Sequence, residues 1–363
     1  MNHPPAALLS ILLMAASSLA LAAEANSASA PAAPSGDLVV SAVGDIMLDA
    51  SSRPVMEGLG YDYPYTHVRQ FFTGSHIVFG NLEGPLTTRG TPEQDKKFVF
   101  HSPPGKVSAA LKDAGFNVVS LANNHMLDYG AEGLAQTVET LDGIGIQHAG
   151  AGADIMAARK PALLTANGQR VAILAYSLTL PENFYAGANR AGTAFAYEDQ
   201  VREDIIAARK QADIVLVSFH WGQEGKTQLR EYQTRIGRLA IDSGASAVIG
   251  HHPHILQGIE RYKDGIILYS MGNFTFGSYS GHSTRSAIAQ LKFHNGRLQQ
   301  LQMIPINVNN FEVQFQPQPL HGAEADAVIA TLRKLSAALH TEVRNEHGVG
   351  LVTLDQEVRQ AAR

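Results

Sequence analysis

The chain has 363 residues, of which 45% are hydrophobic and 17% charged, a composition typical of a globular protein and not of a disordered, collagen-like or coiled-coil one. Its 28 Lys and Arg against 33 Asp and Glu leave a formal net charge of −5, which argues against a broad nucleic-acid-binding surface. Cysteine is absent from the sequence, so disulfides, thiolate nucleophiles and Cys-ligated metals are excluded. The length allows two domains of roughly 150 residues or one large α/β domain.

The first residues of the sequence have the pattern of an export signal. Residues 6–23 are apolar apart from three serines, and Ala20-Leu-Ala22 is a small-x-small cleavage pattern. We expect residues 1–22 to be a cleaved signal peptide and residues 23–36, rich in Ala, Ser and Pro, to be a flexible linker. The protein is then exported to the periplasm or the exterior. Because the first residues lack Lys and Arg, an N-terminal membrane anchor stays an alternative.

From residue 37 onward, short runs rich in Val, Ile and Leu alternate with stretches of helical composition. This alternation predicts an α/β fold with a mostly parallel sheet that is covered by helices on both faces. The predicted strands are 38–43, 76–80, 117–121, 170–176, 213–219 and 246–250, and the predicted helices are 104–114, 131–143, 198–211 and 229–243.

After Pro253 the pattern changes. Residues 323–340 predict an amphipathic closing helix, since Val328, Leu332 and Leu335 recur on one stripe. We therefore expect one domain over residues 37–310 and a C-terminal extension over 311–363 that contains this helix. Before it, runs separated by turn residues predict a mixed or antiparallel second half of the domain. These β-like runs are 255–262, 265–271, 286–294 and 298–308.

Polar residues that could bind a metal follow almost every apolar run of the first half. Because the carboxyl ends of parallel strands share one edge of a sheet, where α/β proteins bind ligands, we expect these distant residues to converge. A single Asp or Asn after a strand is usually a turn former, and a single His is usually a core residue. Their repetition at the same place favours a functional site. The residues are Asp45, Asn81, Glu83, Asn123, Asn124, His125, His220, His251, His252 and His254.

The residue types in this set indicate the chemistry. Oxygen and nitrogen ligands without sulfur suit Mn²⁺, Fe, Zn²⁺ or Mg²⁺ and do not choose among them. Such an ion polarises an oxygen atom and lowers the pKa of bound water to about 7. A histidine that does not bind the ion could protonate a leaving group. The sequence therefore predicts a centre for one or two divalent ions with hydrolytic chemistry.

Six motifs stand in order along the chain, most of them at these strand ends. They are Val43-Gly-Asp-Ile-Met-Leu48, Gly80-Asn-Leu-Glu-Gly84, Ser120 to Gly130, Ser218 to Glu224, Gly244 to His254 and Tyr269-Ser-Met-Gly-Asn-Phe274. In these motifs the chain resembles the CapA family of poly-γ-glutamate capsule-synthesis proteins, a branch of the calcineurin-like metallophosphoesterase superfamily. The resemblance implies layered β-sheets flanked by helices. It also implies a metal-dependent hydrolase of a phosphoester or an amide, acting on poly-γ-glutamate or a related anionic polymer.

Carried over position by position, the resemblance makes Asp45 a metal ligand that also takes part in catalysis, and puts Glu83 at the place of a bridging aspartate. One position departs from the superfamily, whose first motif is Asp-x-His. The third residue here is Met47, whose thioether is a poor ligand for a hard dication, so one of the two ions is in question. The further ligands implied are Asn124, His220, His252 and His254, and the implied catalytic acid is His125.

Further residues are predicted to bind the substrate. Lys96 and Lys97 could face an anionic substrate, although a solvated charge pair is the commoner interpretation. Residues 277–285 have loop composition and could form a mobile flap over the site. Glu224 could position a ligand or anchor the helix that follows it. The predicted substrate-binding residues are Asn123, Lys97, His251, His282 and Arg285.

Two other functions stay open. The protein could be a non-catalytic component that binds the polymer or assembles a membrane polymer synthase. Met47 favours this, because drift toward binding would leave a weakened metal site. The protein could also be a peptide epimerase in which Asp45 and His125 move a proton next to a carbonyl group. No nucleic acid is expected as a partner.

Overall fold

The structure, a computed structural model, describes residue 1 and residues 36–354. The chain divides into a unit over Met1–Ala33 and a compact unit over Pro34–Arg363, and the elements below belong to the second unit. The predicted signal peptide and linker lie outside the described residues, apart from residue 1 and Gly36, as do residues 355–363. Within residues 36–354, the helices are too short or too polar to cross a membrane.

Strands and helices alternate along most of the described chain, and every predicted strand and helix has a counterpart in the structure. The strands are β1 (Asp37–Met47), β2 (Ile77–Leu82), β3 (Val118–Ser120), β4 (Gln147–Ala149), β5 (Ala151–Gly152), β6 (Ala162–Ala166), β7 (Gln169–Ser177), β8 (Gly192–Thr193), β9 (Ile214–His220), β10 (Ala247–His251), β11 (Ile259–Tyr262), β12 (Gly265–Leu268), β13 (Asn273–Phe276), β14 (Arg285–His294), β15 (Arg297–Asn307), β16 (Gln318–Pro319), β17 (Arg344–Glu346) and β18 (Val349–Thr353). The helices are α1 (Arg53–Leu59), α2 (Pro104–Ala114), α3 (Gly130–Ile144), α4 (Ile155–Ala158), α5 (Glu198–Arg209), α6 (Glu231–Asp242), α7 (Asn310–Val313) and α8 (Gly322–Ala337).

Two large β-sheets form the body of the fold. The larger sheet has the order β17-β18-β15-β14-β1-β2-β3-β4; β1 to β4 are parallel, and β14, β15 and β18 run antiparallel to their neighbours. The second sheet has the order β11-β12-β10-β9-β7-β6, with parallel strands at its centre and antiparallel strands at both edges. The predicted fold class, layered sheets flanked by helices with a mixed second half, is confirmed.

The prediction of one parallel sheet is wrong, because the predicted strands divide between two sheets. β1, β2 and β3 belong to the larger sheet, and β7, β9 and β10 belong to the second. Parallel strands that are buried on both faces are continuous apolar runs in either sheet. The hydrophobic pattern therefore identifies the strands but does not say which of them pair.

The main core lies between the two sheets. Val40 of β1 and Leu216 of β9 belong to one buried cluster with no exposed area. Because successive side chains of a strand point to opposite faces, the alternate residues face the helices. Val119 of β3 packs in a cluster with α2 and α3, and Val217 of β9 packs in a cluster with α5 and α6. This layering explains why the strands are apolar throughout.

The residues after position 310 complete the core and the larger sheet. β18 pairs with β15, with Gln300 opposite Thr353, and β17 forms the edge. α8 buries Val328 and Leu332 in the cluster between the sheets, as expected for the predicted amphipathic helix. The domain boundary at residue 310 stays a prediction.

Candidate metal centre

The carboxyl ends of strands from both sheets meet at one place in the structure. Asp45 stands near the end of β1, Glu83 directly follows β2, and His220 ends β9. Residues 123–125 follow β3, and residues 251–254 end and follow β10. The side chains of Asp45, Glu83 and His220 are buried, with at most 1% exposed. The structure thus brings together residues that are far apart in the sequence.

Two glycines allow the backbone segments of this region to approach each other. A Cβ atom at Gly44 would lie 1.8 Å from the carbonyl oxygen of Gly272, and one at Gly250 would lie 2.0 Å from that of Tyr269. The Asp45 backbone N–H donates to the same Gly272 carbonyl over 3.0 Å. Only glycine lets the backbones come this close, which explains why one precedes Asp45 in the sequence.

Glu83 supplies a carboxylate oxygen that faces several histidines. Its Oε1 atom lies 3.7 Å from His220 Nε2 and 3.7 Å from His254 Nε2. This oxygen is buried and has no hydrogen-bond partner. Asn124 Oδ1 lies 2.7 Å from His220 Nε2. Two sets of ligand atoms lie within 4.8 Å of one another, namely Glu83, His252 and His254, and Asp45, Glu83 and His220.

Asp45 is surrounded by nitrogen atoms. Its Oδ1 atom accepts a hydrogen bond from Asn81 Nδ2 over 2.9 Å and lies 3.2 Å from His251 Nδ1. Its Oδ2 atom lies 3.1 Å from His254 Nδ1 and accepts the backbone N–H of His252 over 3.3 Å. Both oxygens of this carboxylate are therefore engaged within the protein.

Asn81, one of the polar residues predicted at the strand ends, is central to the cluster, although the resemblance implies no role for it. Its Nδ2 atom donates to Asp45 Oδ1 and, over 3.3 Å, to Glu83 Oε2, and it also lies 3.3 Å from His220 Nδ1. Asn123, predicted to bind substrate, instead donates to Asn81 Oδ1 and is fully buried. The amide group of Asn123 is hydrogen-bonded inside the protein, so Asn123 positions Asn81. The signal for Asn81 was its position at the end of β2.

His125 is held by a carboxylate and an ammonium group. Its Nδ1 atom lies 2.7 Å from Asp128 Oδ2 and 3.2 Å from Lys96 Nζ. Lys96 also donates to Asp128 Oδ1 and to the Asn124 carbonyl oxygen. Because Nδ1 is engaged, Nε2 is the nitrogen of His125 that is left for a substrate. Asp128 was not among the predicted site residues, although its spacing of three residues from His125 was a usable signal.

Two more predicted substrate-binding residues, Lys97 and His251, differ in their exposure. Lys97 is exposed, with its Nζ atom 5.1 Å from the centre of the Phe98 ring, and Lys96 is the lysine that reaches the cluster. His251 is completely buried, with its Nδ1 atom 3.2 Å from Asp45 Oδ1, and its predicted role in substrate binding stays a prediction. The sequence could not show which of the two lysines reaches the cluster. No hydrophobic periodicity around them fixes the direction of either side chain.

His282 and Arg285 line a separate cavity of about 540 Å³, which also contacts Ile255. His282 is exposed and Arg285 is partly buried. The segment 277–285, predicted as a mobile flap, is tied to the fold by backbone hydrogen bonds at Gly277 and Thr284. Whether these two side chains bind a substrate stays a prediction. Glu224 is exposed.

The environment keeps two imidazoles in the form that binds cations. Burial and the neighbouring His252 lower the pKa of His220 well below its usual range. Burial and the neighbouring His254 lower the pKa of His252 to about 3. Both rings are therefore neutral at neutral pH and keep a lone pair. His252 and His254 also have φ angles of 94° and 58°, which cost non-glycine residues about 1–3 kcal/mol each and are typical of functional sites.

The two carboxylates differ in their electrostatic environment. Burial alone would raise the pKa of Asp45, but the neighbouring imidazoles of His251 and His254 hold it well below its usual range. Burial and the charge of Asp45 raise the pKa of Glu83 well above its usual range. Burial would lower the pKa of His254, but Glu83 and Asp45 raise it to about 10. The negative charge of Glu83 is therefore less well compensated by its neighbours than that of Asp45.

The residues present fit a divalent cation. Within residues 36–354, the buried side-chain atoms without a hydrogen-bond partner include Glu83 Oε1 and His252 Nδ1. Such an atom costs about 1–3 kcal/mol unless a partner is supplied. Carboxylate, amide and imidazole donors without sulfur suit the ions that the sequence analysis named, and their identity stays a prediction.

A sequence profile decides the family. The profile described as "Bacterial capsule synthesis protein PGA_cap" matches residues 39–278 of this chain. The chain belongs to this family. The matched region contains the whole cluster, from Asp45 to His254.

Individual relatives of this chain agree with the profile. "Capsule biosynthesis protein CapA" of Bacillus anthracis is 31% identical over 292 residues, which cover 79% of this chain and 70% of that protein. "PGA biosynthesis protein CapA" of Bacillus subtilis (strain 168) is 33% identical over 273 residues, covering 75% and 72%. A "Probable polyglutamine synthesis accessory protein" of Mycobacterium tuberculosis is 34% identical over 263 residues, covering 67% and 68%. The predicted membership of the CapA family is confirmed.

Proposed function

We propose that this protein is an exported, metal-dependent hydrolase that cleaves a phosphoester or an amide during the synthesis or processing of an anionic capsule polymer. The observation that carries the proposal is the buried Glu83 Oε1 atom, which has no hydrogen-bond partner and faces two imidazole nitrogens at 3.7 Å. A divalent cation bound there supplies Lewis acidity that polarises a substrate oxygen and acidifies water. The ligands would be Glu83, His220, His252 and His254, with Asn124 beside His220.

The neighbouring residues would handle the leaving group. Asp128 holds the His125 ring through Nδ1, so that Nε2 can donate a proton to the leaving oxygen or nitrogen. Lys96 brings a positive charge next to His125, which favours an anionic group of the substrate at this side of the centre. Burial lowers the pKa of His125, while Asp128 acts in the opposite direction. The side chains for proton transfer thus stand next to the cluster that would bind the ion.

The substrate class is supported by the names of the relatives. Two of them are named for capsule or PGA biosynthesis and a third for polyglutamine synthesis. We propose poly-γ-glutamate or a related anionic polymer as the substrate, with a membrane polymer synthase as a partner. The cavity lined by His282 and Arg285 adjoins Ile255, the residue after His254, and we propose that it takes a stretch of polymer beyond the reacting unit.

The alternatives differ in what they require of the site. An epimerase would need Asp45 as a base, but both Asp45 oxygens already face nitrogen atoms and its pKa is lowered, which makes it a weak base. A non-catalytic polymer-binding component would need no proton donor. The pairing of His125 with Asp128 therefore favours the hydrolase.

The test is an assay of the purified full chain with each of Mn²⁺, Zn²⁺ and Mg²⁺ after removal of bound metal. p-Nitrophenyl phosphate serves as a generic phosphoester, and poly-γ-glutamate serves as the polymer, followed by its new chain ends. We expect turnover that chelator abolishes and that His125→Ala reduces by about 10²–10⁴-fold. His148→Ala, which removes a histidine paired with Asp142, is the matched control and should retain activity. Polymer binding without turnover in every metal state would identify the binding component, and solvent deuterium in a peptide would identify the epimerase.

A further inference from the structure

We infer that Phe98 and Phe100 form a binding surface for the leaving group of the substrate, and that this surface selects a leaving group with apolar atoms next to the scissile bond. Both residues lie in the segment between β2 and α2. The inference rests on the proposed function, since it concerns the side of the centre where His125 donates its proton. It adds two specificity-determining residues to that function.

The segment that carries the two rings is held against the site by one buried residue. Asp128 has no exposed area, and its Oδ2 atom accepts the backbone N–H of Phe100 over 2.8 Å. Its Oδ1 atom accepts from Lys96 Nζ, and its backbone carbonyl accepts the N–H of Glu93 over 2.8 Å. The same carboxylate contacts His125 Nδ1. One residue therefore positions both the segment and the imidazole before a substrate binds, which lowers the entropic cost of binding.

The ring of Phe100 packs on the imidazole of His125. The ring centres are 4.5 Å apart, with an angle of 38° between the planes. The Cβ atom of Phe100 also lies 3.6 Å from the position that a Cβ atom would take at Gly84, the residue after Glu83. Because Nδ1 of His125 is held by Asp128, the leaving atom stands at Nε2, and the group bonded to it extends along the surface beside the imidazole. The ring of Phe100 is part of that surface.

Phe98 extends this surface from Phe100 toward solvent. The two phenyl rings are nearly parallel, with an angle of 17° between their planes and 6.4 Å between their centres. Phe98 is 58% exposed, so its ring is accessible to a ligand. The Nζ atom of Lys97 lies 5.1 Å from the centre of the Phe98 ring. The surface is therefore apolar next to His125 and carries a positive charge at its outer end.

This order of groups defines the chemical class of the leaving group. Apolar atoms lie close to the scissile bond, where they gain from burial against the rings, and an anionic group lies farther along. An oligomer of γ-linked glutamate has this composition, since each unit joins methylene groups to a carboxylate. A phosphoester of a ring-bearing alcohol shares the apolar part and stacks on the same rings. The experiment separates these two sources.

The experiment measures competitive inhibition of p-nitrophenyl phosphate turnover by the metal-loaded full chain. The inhibitors are inorganic phosphate, which has no leaving group, phenylphosphonate, which adds a ring, and a short oligomer of γ-linked glutamate. The variants are Phe98→Ala and Phe100→Leu. The matched control is Leu163→Ala, which shortens an exposed apolar side chain on β6, opposite Ala172 of β7.

We expect Phe100→Leu to weaken inhibition by phenylphosphonate and by the oligomer about 2–12-fold, the range of a single aromatic contact. Phe98→Ala should weaken inhibition by the oligomer to a similar extent, because its ring lies farther from the scissile bond. Inhibition by inorganic phosphate should stay unchanged in both variants, and Leu163→Ala should behave like the wild type. A loss confined to phenylphosphonate would assign the surface to a ring-bearing phosphoester, and a loss confined to the oligomer would assign it to the polymer.

Two results would overturn the inference and leave the proposed hydrolase standing. One is inhibition that neither variant changes, and the other is an equal loss for all inhibitors, including inorganic phosphate. Absence of wild-type turnover with every metal would instead remove the proposed function, and titration calorimetry of the oligomer with the wild type and Phe98→Ala would still test the surface. Should Phe100→Leu fail to fold, the exposed Phe98 still decides.

Discussion

The Nδ1 atom of His254 lies 3.1 Å from the Oδ2 atom of Asp45, although the two residues come from different sheets. Asp45 belongs to β1 of the larger sheet, and His254 follows β10 of the second sheet. The contact therefore links the ends of the two packed layers. A cation between Glu83 and the histidines would add a second link at the same place, so metal binding and the stability of the fold should be coupled.

The first prediction follows from that coupling. Removing bound metal should lower the melting temperature of the wild type, since an ion present at 100 times its Kd stabilises the folded state by about 2.7 kcal/mol. Glu83→Gln should melt at the same temperature with and without metal. Differential scanning calorimetry measures both, with Asp113→Asn, on the exposed face of α2, as a control that responds like the wild type. A wild-type melting temperature that is indifferent to chelator would contradict the coupling.

The second prediction concerns the close approach at Gly44. Gly44→Ala should destabilise the protein by about 3 kcal/mol, because the added Cβ would lie 1.8 Å from the Gly272 carbonyl oxygen. Gly143→Ala is the matched control, since Gly143 lies in α3 with no atom within 4 Å of its Cβ position. That change should stabilise by about 0.5–1 kcal/mol. Urea unfolding gives both values, and equal effects of the two changes would argue against the packing described here.

The third prediction separates proton donation from metal binding. Asp128→Asn should leave the metal content unchanged and reduce kcat about 10–100-fold, because it removes the carboxylate that fixes the His125 ring. The loss should be larger for phosphoesters with basic leaving groups, which need protonation most. Asp142→Asn, which removes the carboxylate beside His148, is the control. An equal loss across all leaving groups would assign Asp128 a structural role only.

The fourth prediction concerns export. Expression of the full chain in a bacterial host should yield a mature protein that begins at Ala23, because the small-x-small pattern ends at Ala22. Intact mass spectrometry of the periplasmic and membrane fractions measures this directly. A membrane-bound protein that retains residues 1–22 would favour the anchor instead.

The strands and helices could be predicted from the sequence, whereas the pairing of the strands could not. β2 and β9 are recognised by their apolar runs, and α2 by Pro104 in its first turn and its apolar spacing. The strands of both sheets are apolar on both faces, so nothing local distinguishes a neighbour in the same sheet from a strand in the facing sheet. The parallel pairing of β13 with β1 depends on a close contact at Gly272, which only the folded chain shows.

The residues of the candidate site could likewise be predicted only in part. Glu83 and His220 could be found because they stand directly at strand ends, where ligands gather in α/β folds. The sequence could not show which polar neighbours turn inward. Asn123 points to Asn81, and Lys96, not Lys97, reaches His125, because these directions are set by contacts with other segments. Residues that act through such long-range contacts are therefore missed by patterns along the chain.

The most direct test is the anomalous diffraction of crystals grown with Mn²⁺ or Zn²⁺, measured at the absorption edge of the metal. We predict an anomalous peak in contact with Glu83 Oε1 and with imidazole nitrogens of His220 and His254. A map without a peak at these residues, or with the metal bound elsewhere on the chain, would contradict the metal centre on which the proposed function depends.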